Sequence, residues 1–310
     1  MSSKLRIKDF LILQSSWLYE KKAIDLSILP HTSNEIWTFI YTKFKLIYNH
    51  SMKKHPIFFL WATPRSTSTA FEWMMRQRGD LNCFHEPFGI AWYQGPEARA
   101  PRPTPMEQQR PEATFDKIWN DILAAAEERP VFVKEMPHHT EHFWSDAFLD
   151  RITHSFLIRD PAKVLASLHR SYQKAGMVEG FEAHEISFGP QQKLFDLLRR
   201  RNGQASPVLD SDDLMERPET MVQAYCKAIQ IPFIAEALTW EPGARDEILW
   251  FEGNDEIWHA SLRDSDGLKA IPRKKVNPND LPKNLSDYYE TFMANYNTLY
   301  PYRLQHIRED

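Results

Sequence analysis

Apolar runs followed by polar turns and helical patterns recur along this chain and predict its core elements. The continuous apolar run at residues 57–62 predicts a buried strand. Residues 69–78 predict a helix, because Phe71, Met74 and Met75 fall on one of its sides. The same order of strand, polar turn and helix is repeated further along, so functional side chains are expected in the turns.

The turn at residues 63–69 is rich in hydroxyl side chains and contains one arginine, Arg65. Backbone N–H groups at the start of a helix point toward an anion, and the helix dipole favours negative charge there. Ser66, Ser68 and Thr69 add hydroxyl donors, and Arg65 adds a permanently charged fork of N–H donors. The turn therefore predicts a phosphate-binding loop, although it has neither the glycines nor the lysine of the common nucleotide-binding loop.

A second strand, turn and helix has its apolar strand at residues 155–158. Asp160 is a suitable N-cap, and Pro161 suits the first turn of the following helix. Arg159 and Ser167 lie at opposite ends of two helical turns, so both would reach one anion only if it lay beside the turn. Without such an anion, Asp160 would simply cap the helix and Arg159 would pair with a surface carboxylate.

Together the two turns resemble the two cofactor signatures of the sulfotransferases that use 3′-phosphoadenosine 5′-phosphosulfate (PAPS). The first signature matches Pro64 to Thr69, and the second matches Arg159 to Ser167. Residues 207–233 are similar to the family's last core strand, turn and helix, so the resemblance runs in order from His55 to Phe233. It implies an α/β fold: a three-layer sandwich with a central parallel β-sheet flanked by helices, and a P-loop-like phosphosulfate-binding loop.

The resemblance also implies which residues hold the cofactor. Arg65 would contact the bridging region of the phosphosulfate, while Arg159 and Ser167 would bind the 3′-phosphate. The 5′-phosphate would be held by the hydroxyl and N–H donors of the loop, namely Ser66, Thr67, Ser68 and Thr69. A basic tail segment containing Arg273 and Lys274 would close over the 3′-phosphate. The loop departs from the family at Thr67, where many members have glycine, a residue that adopts a tight turn more easily.

Sulfuryl transfer calls for a general base that takes the acceptor's proton and a cationic donor at the departing phosphate oxygen. Open parallel sheets bind ligands beyond the carboxyl ends of their strands, and two strand ends supply candidates. One ends at His85 and Glu86, and the other carries Lys134, His138 and His139. The resemblance favours Glu86 as the base, leaves the three histidines as alternatives and places Lys134 at the leaving or transferring group. We expect no metal site, since the spacing matches no standard zinc pattern.

The composition narrows the possible partners. Among 310 residues, 38 are Lys or Arg and 42 are Asp or Glu, and the formal net charge of −4 gives no reason to expect a nucleic-acid partner. Cys83 and Cys226 lie in apolar contexts and are expected to be buried thiols in a reducing compartment. No segment reaches the roughly 18 uncharged apolar residues that a membrane helix needs, so we expect a cytoplasmic enzyme without an integral membrane part.

We expect residues 55–310 to form a single sulfotransferase domain and residues 1–54 to form an N-terminal helical extension. The extension is rich in apolar and aromatic residues, which fits packing on the core, a homodimer contact or a membrane-surface helix. Residues 94–112 are dense in proline and predict a long loop, which would be either a substrate lid or a variable surface insertion.

Two classes of small-molecule acceptor fit the sequence, and the resemblance suggests an alcohol, phenol or amine of bacterial secondary metabolism. Acidic side chains near the expected mouth would favour a cation, whereas aromatic ones would frame a planar phenol. The acidic residues are Glu112, Glu135, Glu141 and Glu182, and the aromatic residues are Trp92, Tyr93, Phe143 and Trp144.

Two other functions compete with sulfuryl transfer. One is a P-loop small-molecule kinase, which normally needs a Walker lysine and an aspartate for Mg²⁺; the other is a non-catalytic nucleotide-binding protein.

Overall fold

The computed structural model describes residues 54–100, 106–176, 182–243, 248, 259–272 and 274–305. All described residues belong to one unit of the chain, Lys54–Asp310. The expected extension at residues 1–54 lies outside the described residues except for Lys54, and so does Arg273.

Five parallel strands within the described residues form the central sheet. They are β1 (Ile57–Ala62), β2 (Asn82–His85), β3 (Val131–Glu135), β4 (Ile152–Ile158) and β5 (Val208–Asp210). Their spatial order is β2-β3-β1-β4-β5, and each neighbouring pair is parallel.

Helices cover both faces of this sheet, which confirms the expected three-layer α/β sandwich. The α-helices of the described segments are α1 (Ser68–Gln77), α2 (Pro87–Gln94), α3 (Phe115–Glu128), α4 (Pro137–Thr140), α5 (Asp146–Asp150), α6 (Pro161–Lys174), α7 (Phe188–Asn202), α8 (Ser211–Glu216), α9 (Pro218–Ala228), α10 (Ala260–Arg263) and α11 (Lys283–Leu299). Short 3₁₀ turns occur at Met106–Gln108, Glu141–Phe143, Ala183–Ile186, Ala235–Leu238, Pro278–Asp280 and Tyr300–Tyr302. No helix in these segments is long and apolar enough to cross a membrane.

Alternate residues of β1 belong to two separate apolar clusters. Phe58 and Leu60 pack with residues of α1 and α9, whereas Phe59 and Trp61 pack with residues of α2, α3, α5 and α7. A strand that is buried on both faces appears in the sequence as a continuous apolar run, which explains why β1 is so clear in the sequence.

The strand order places the topological switch of the sheet at β1. The chain moves from β1 outward to β2 and back to β3 on one side, then crosses β1 to reach β4 and β5 on the other. Loops at such a switch diverge and leave a crevice beyond the carboxyl ends of the strands. The loops after β1 and β4 carry the two predicted signatures, and they start side by side because Ala62 pairs in register with Leu157.

Several element bounds differ from the predicted ones. Helix α1 begins at Ser68, and β4 begins at Ile152, three residues earlier than expected. The segment after β5 forms helix α8 where the resemblance implied a turn, so that expectation is wrong. The physical reason is the side chain of Asp210, which accepts from the N–H groups of Asp212 and Asp213 at 2.9 and 3.1 Å and caps the helix.

The two cysteines are free thiols with different exposure. Cys226 is buried as expected, whereas Cys83 on β2 is partly exposed. Burial is the main cause that raises the pKa of the Cys83 thiol to about 12, so this thiol is protonated at neutral pH.

Candidate active site

The loop after β1 turns sharply at two residues with left-handed backbone. The φ angle is 60° at Arg65 and 71° at Thr67, values that are strained for residues other than glycine. Turns of this kind gather successive N–H groups around one concavity and bind anions. Thr67 thus occupies a backbone conformation that glycine would adopt more easily, as expected. Its hydroxyl lies 2.9 Å from the hydroxyl of Ser211 at the start of α8, which ties the loop to the end of β5.

The side chain of Ser66 stabilises the loop through a hydrogen bond within it. Its hydroxyl donates to the carbonyl oxygen of Thr63 at 2.6 Å, and both residues are fully buried. The hydroxyl of Ser66, which the sequence offered as a ligand donor, is therefore engaged within the loop, and its backbone N–H is the group left for a ligand.

A cavity of about 530 Å³ opens beyond the carboxyl ends of β1, β4 and β5. Most of the predicted cofactor residues line it: Arg65, Thr67, Ser68, Thr69, Arg159, Ser167 and Lys274. A cavity of this size is typical of a site for a small ligand. The two signature turns therefore contribute to one site.

Hydrogen bonds join the two signatures across the switch point. Nε of Arg65 donates to Oγ of Ser167 at 3.1 Å, and Nη1 of Arg159 donates to the carbonyl oxygen of Arg65. Nε of Arg159 is buried and has no hydrogen-bond partner among the described residues. A buried guanidinium donor without a partner is the chemistry expected of an anion site.

Positive charge accumulates in this part of the cavity. Burial, followed by the charges of Arg159 and Arg170, lowers the pKa of Arg65 to about 10. Burial also lowers the pKa of Arg159, although the nearby carboxylates of Asp212 and Asp160 oppose the shift. A bound anion would relieve the repulsion among these guanidinium groups, so the residues present fit the phosphate groups of PAPS.

Lys163, Ser211 and Asp212 also line the cavity, although none of them was a predicted site residue. Nζ of Lys163 on α6 donates to Asp212 on α8 at 2.5 Å. Lys163 lies inside the second signature, and Ser211 and Asp212 directly follow the last strand. Their positions at strand ends were the available signal.

A second group of side chains lies where β2 and β3 end. His85 pairs in register with Lys134, which pairs with Leu60, so the three side chains point to the α1 face of the sheet. Nζ of Lys134 donates to Oε1 of Glu86; the lysine is 1% exposed and the glutamate 5%. Glu86 and Lys134, predicted separately, thus form a buried ion pair.

The ion pair sets the charge state of Glu86. Burial by itself would raise the pKa of this carboxyl, but the Lys134 ammonium and the charges on His85 and His139 together outweigh burial, and the pKa falls to about 2. Glu86 is therefore a carboxylate at neutral pH, and a weak proton acceptor while Lys134 holds it.

His138 and His139 are fully buried, and like Glu86 and Lys134 they are not among the described residues that line the cavity. Nδ1 of His139 lies 2.6 Å from Oε1 of Glu135, and Nδ1 of His138 lies 2.9 Å from Oγ of Ser187. Burial, and then the charges of His139 and His184, hold the pKa of His138 well below its usual range. These contacts fit a structural role better than a place at the cavity.

Glu135 does not lie at the mouth of an acceptor site, so that part of the acceptor hypothesis is wrong. The residue is fully buried, and its two oxygens accept from the N–H groups of Phe88 and Met136, both at 2.8 Å. This carboxylate fixes the chain after β2 and β3 and is inaccessible to a cationic acceptor.

Two further side chains near Glu86 were missed. Glu72 on α1 is fully buried; Oε2 lies 2.5 Å from Nδ1 of His85, and Oε1 accepts from Nε of Arg76 at 2.8 Å. His259 lines the cavity, and its ring packs edge-on against that of His85 with centroids 5.7 Å apart. An acid between apolar helix positions was a usable signal for Glu72, whereas His259 lies in no recognisable motif.

Comparison with known proteins agrees with the two signatures. A sequence profile of the sulfotransferase domain matches residues 57–295. Branched-chain-amino-acid aminotransferase-like protein 2 of Arabidopsis thaliana is 25% identical over 241 residues, which are 77% of this chain and 40% of that protein. The chain therefore spans about two fifths of the length of the curated relatives it matches.

Solved structures with low sequence identity are also similar. The sulfotransferase domain of the Synechococcus PCC 7002 olefin synthase gives a TM-score of 0.43 at 18% identity, covering 78% of this chain and 97% of that one. Mouse sulfotransferase SULT7A1 complexed with PAP gives a TM-score of 0.44 at 6% identity, covering 79% of this chain and 85% of that one. The assignment rests on the profile match. Since that match begins at β1, runs into α11 and includes both signature turns, this chain belongs to the family of proteins that contain a sulfotransferase domain.

Proposed function

We propose that this chain transfers the sulfuryl group of PAPS to a hydroxyl or amine of a small molecule by in-line displacement. The observation that carries the proposal is the meeting of both signature turns at one cavity, where Arg65 bonds Ser167. PAPS has phosphate groups at two positions, and the two turns offer a cationic donor set for each. When bound, PAPS supplies the sulfuryl group that the reaction moves.

The loop after β1 would hold the 5′ end of the nucleotide. Its N–H groups and the hydroxyls of Ser68 and Thr69 are donors beside the cavity, and Thr67 lines the same wall. Ser66 contributes through its backbone. The guanidinium of Arg65 would stabilise the negative charge that develops on the departing phosphate oxygen.

The turn after β4 would hold the 3′-phosphate. The buried Nε of Arg159 is a charged donor without a partner among the described residues, and Ser167 lies within hydrogen-bond distance of Arg65. Lys274 in the tail lines the same cavity, and Arg273 next to it lies outside the described residues. A phosphate at this position would offset the repulsion from Arg159 and Arg170 that, after burial, lowers the pKa of Arg65.

Glu86 is the proton acceptor in this proposal, and Lys134 controls its basicity. The Lys134 ammonium and the Glu86 carboxylate neutralise each other as they stand. Negative charge in the cavity would draw the ammonium away from Glu86. Burial would then dominate and raise the pKa of the carboxyl, so that one of its oxygens could take the acceptor's proton. His138 and His139 are the alternatives if Glu86 proves dispensable.

The proposed acceptor is a small molecule such as a secondary metabolite, and no nucleic-acid partner is proposed. The kinase alternative finds no support in the loop, which has no Walker lysine. The non-catalytic alternative would leave without a role the buried Glu86–Lys134 ion pair, whose charges act on the cavity residue His259. Sulfuryl transfer therefore accounts for more of these contacts.

Calorimetric titration of the purified chain with 3′-phosphoadenosine 5′-phosphate (PAP) tests the proposal, with EDTA present and with ATP plus Mg²⁺ titrated in parallel. We expect PAP to bind without metal and ATP with Mg²⁺ not to bind. Binding of ATP with Mg²⁺ in place of PAP would support a kinase. Binding of neither nucleotide would contradict the donor assignment, and PAP binding without turnover of PAPS with any acceptor would favour a non-catalytic role.

A further inference from the structure

We propose that His259 is a further catalytic residue, which contacts the transferring sulfuryl group from the wall of the donor cavity. The inference rests on the proposed function and adds one contact to the same donor site. None of the sequence signatures includes His259, and it reaches the site only through the fold.

The position of His259 links the two halves of the site. It lines the cavity together with Arg65, and its ring packs against His85, the register partner of Lys134, at 5.7 Å and an interplanar angle of 79°. It also lies close enough to Lys134, Glu86 and Arg65 to feel their charges. His259 therefore lies near both the proposed donor to the departing oxygen and the proposed base, and the transferring sulfuryl group would pass between those two residues.

The chemistry of an imidazole suits this place. Sulfuryl oxygens only accept hydrogen bonds, and an imidazole carries at least one N–H donor whether it is neutral or protonated. Burial, and then the charges of His85 and Lys134, lower the pKa of His259 to about 3 while Glu86 opposes the shift. The ring is thus neutral at neutral pH in surroundings that favour a negatively charged ligand group.

Glu72 and His85 act as positioning residues behind His259. The Glu72 carboxylate is fully buried on α1, a costly placement unless it is paired. It contacts Nδ1 of His85 at 2.5 Å and Nε of Arg76 at 2.8 Å. This contact fixes the orientation of the His85 ring, and the His85 ring in turn supports His259.

The sulfuryl group is the part of PAPS that PAP lacks, so comparing the two nucleotides isolates the proposed contact. We would measure the affinities of PAPS and PAP in the same buffer, with EDTA and no acceptor, for the wild type and for His259→Ala. PAP affinity should stay unchanged, and PAPS affinity should fall roughly tenfold or more, the loss expected for a hydrogen bond to a charged group. His259→Gln keeps an N–H donor and should restore part of the loss.

Two further variants separate a contact from a general structural effect. His55→Gln changes a partly exposed histidine before β1, at the opposite end of the sheet, and should leave both affinities unchanged. Glu72→Gln keeps the shape of a positioning residue but removes its charge. It should weaken PAPS less than His259→Ala does and leave PAP unaffected. Thermal melting curves check that each variant is folded, and His259→Leu, which also lacks an N–H donor, replaces the alanine variant if that one is not.

The outcomes are distinct. Equal losses of PAPS and PAP affinity in His259→Ala would show that the residue contacts the part of the nucleotide that PAPS and PAP share. Unchanged affinities would show that the residue does not contact PAPS. Either result overturns the inference and leaves the proposed function intact. A wild-type chain that fails to bind PAP would instead overturn the proposed function, and this inference with it.

Discussion

Nε of Arg65 donates to the hydroxyl of Ser167 at 3.1 Å, and the bond joins residues that are 102 positions apart in the sequence. It connects the loop after β1 with the helix after β4 at the switch point of the sheet. Because Arg159 also donates to the carbonyl oxygen of Arg65, the two turns form one hydrogen-bonded, positively charged wall. Removing a member of this wall should therefore affect anion binding first.

Arg65→Ala and Arg159→Ala should each weaken PAP binding by roughly 10- to 100-fold, because each removes a charge-assisted donor to a phosphate. Calorimetric titration of the three proteins measures the effect. Arg200→Ala is the matched control, since Arg200 is an exposed arginine on α7 that does not line the cavity. Wild-type affinity in both cavity variants would argue against this wall as the nucleotide site.

Glu86→Gln should reduce turnover by roughly 10²- to 10⁴-fold if Glu86 is the general base, with the PAP dissociation constant unchanged. The reason is that the amide keeps the shape of the side chain but cannot take the proton. Steady-state rates with an acceptor identified by screening measure the loss, and exposed Glu128→Gln on α3 is the control. Near-normal turnover of Glu86→Gln would move the role to His138 or His139.

The Glu86–Lys134 pair should also make stability depend on pH. The pKa of Glu86 lies at about 2 in the folded chain, below its usual value of 4.5. A depressed carboxyl pKa stabilises the fold fully above the unfolded pKa, and the stabilisation is lost as the pH falls toward the folded pKa. In urea unfolding, the stability difference between wild type and Glu86→Gln should therefore shrink as the pH is lowered from about 6 to about 3. A difference that stays constant over this range would contradict the pairing.

Lys134→Met tests the same ion pair by removing the ammonium group instead of the carboxylate. Without the ammonium, burial remains as the main influence on Glu86 and should raise its pKa above the usual 4.5. Stability should then increase as the pH falls through this range, the opposite of the wild-type trend. A wild-type pH dependence in this variant would show that Lys134 is not the counter-charge.

Gly95→Ala should destabilise the fold by about 1–3 kcal/mol, because a Cβ at this position would lie 2.2 Å from the carbonyl oxygen of Ala113. Gly95 ends α2 and begins the long proline-rich loop, whose return is fixed where the N–H of Arg110 donates to the carbonyl oxygen of Gln94 at 2.8 Å. Gly189→Ala is the control, since nothing lies within 4 Å of a Cβ there and a helical alanine is favoured over glycine. Equal melting temperatures for the two variants would contradict the close approach at Gly95.

Structural features that depend on residues close together in the sequence could be predicted from it. The run at residues 57–62 is strand β1 with the expected bounds, because burial on both faces leaves a continuous apolar pattern. Asp160 caps α6 by accepting from the N–H of Ala162 at 2.8 Å, as its position before Pro161 indicated. The predicted turn after β5 is instead helix α8, because the side chain of Asp210 caps this helix.

Burial of charged side chains could not be predicted in the same way. Glu135 and Lys134 are adjacent in the sequence, yet Glu135 faces backbone N–H groups on one side of the sheet and Lys134 faces Glu86 on the other. Successive strand residues point to opposite faces, but the sequence does not tell which face holds the site.

The sequence by itself determined the two signature turns, the alternation of strands and helices, and with them the membership of a sulfotransferase family. Only the tertiary structure decided that Lys134 neutralises Glu86 across 48 positions, that Lys163 reaches Asp212 across 49, and that His259 joins the cavity wall. The physical reason is that signatures are local hydrogen-bonding patterns, whereas these contacts depend on the strand order β2-β3-β1-β4-β5 and on the burial it creates.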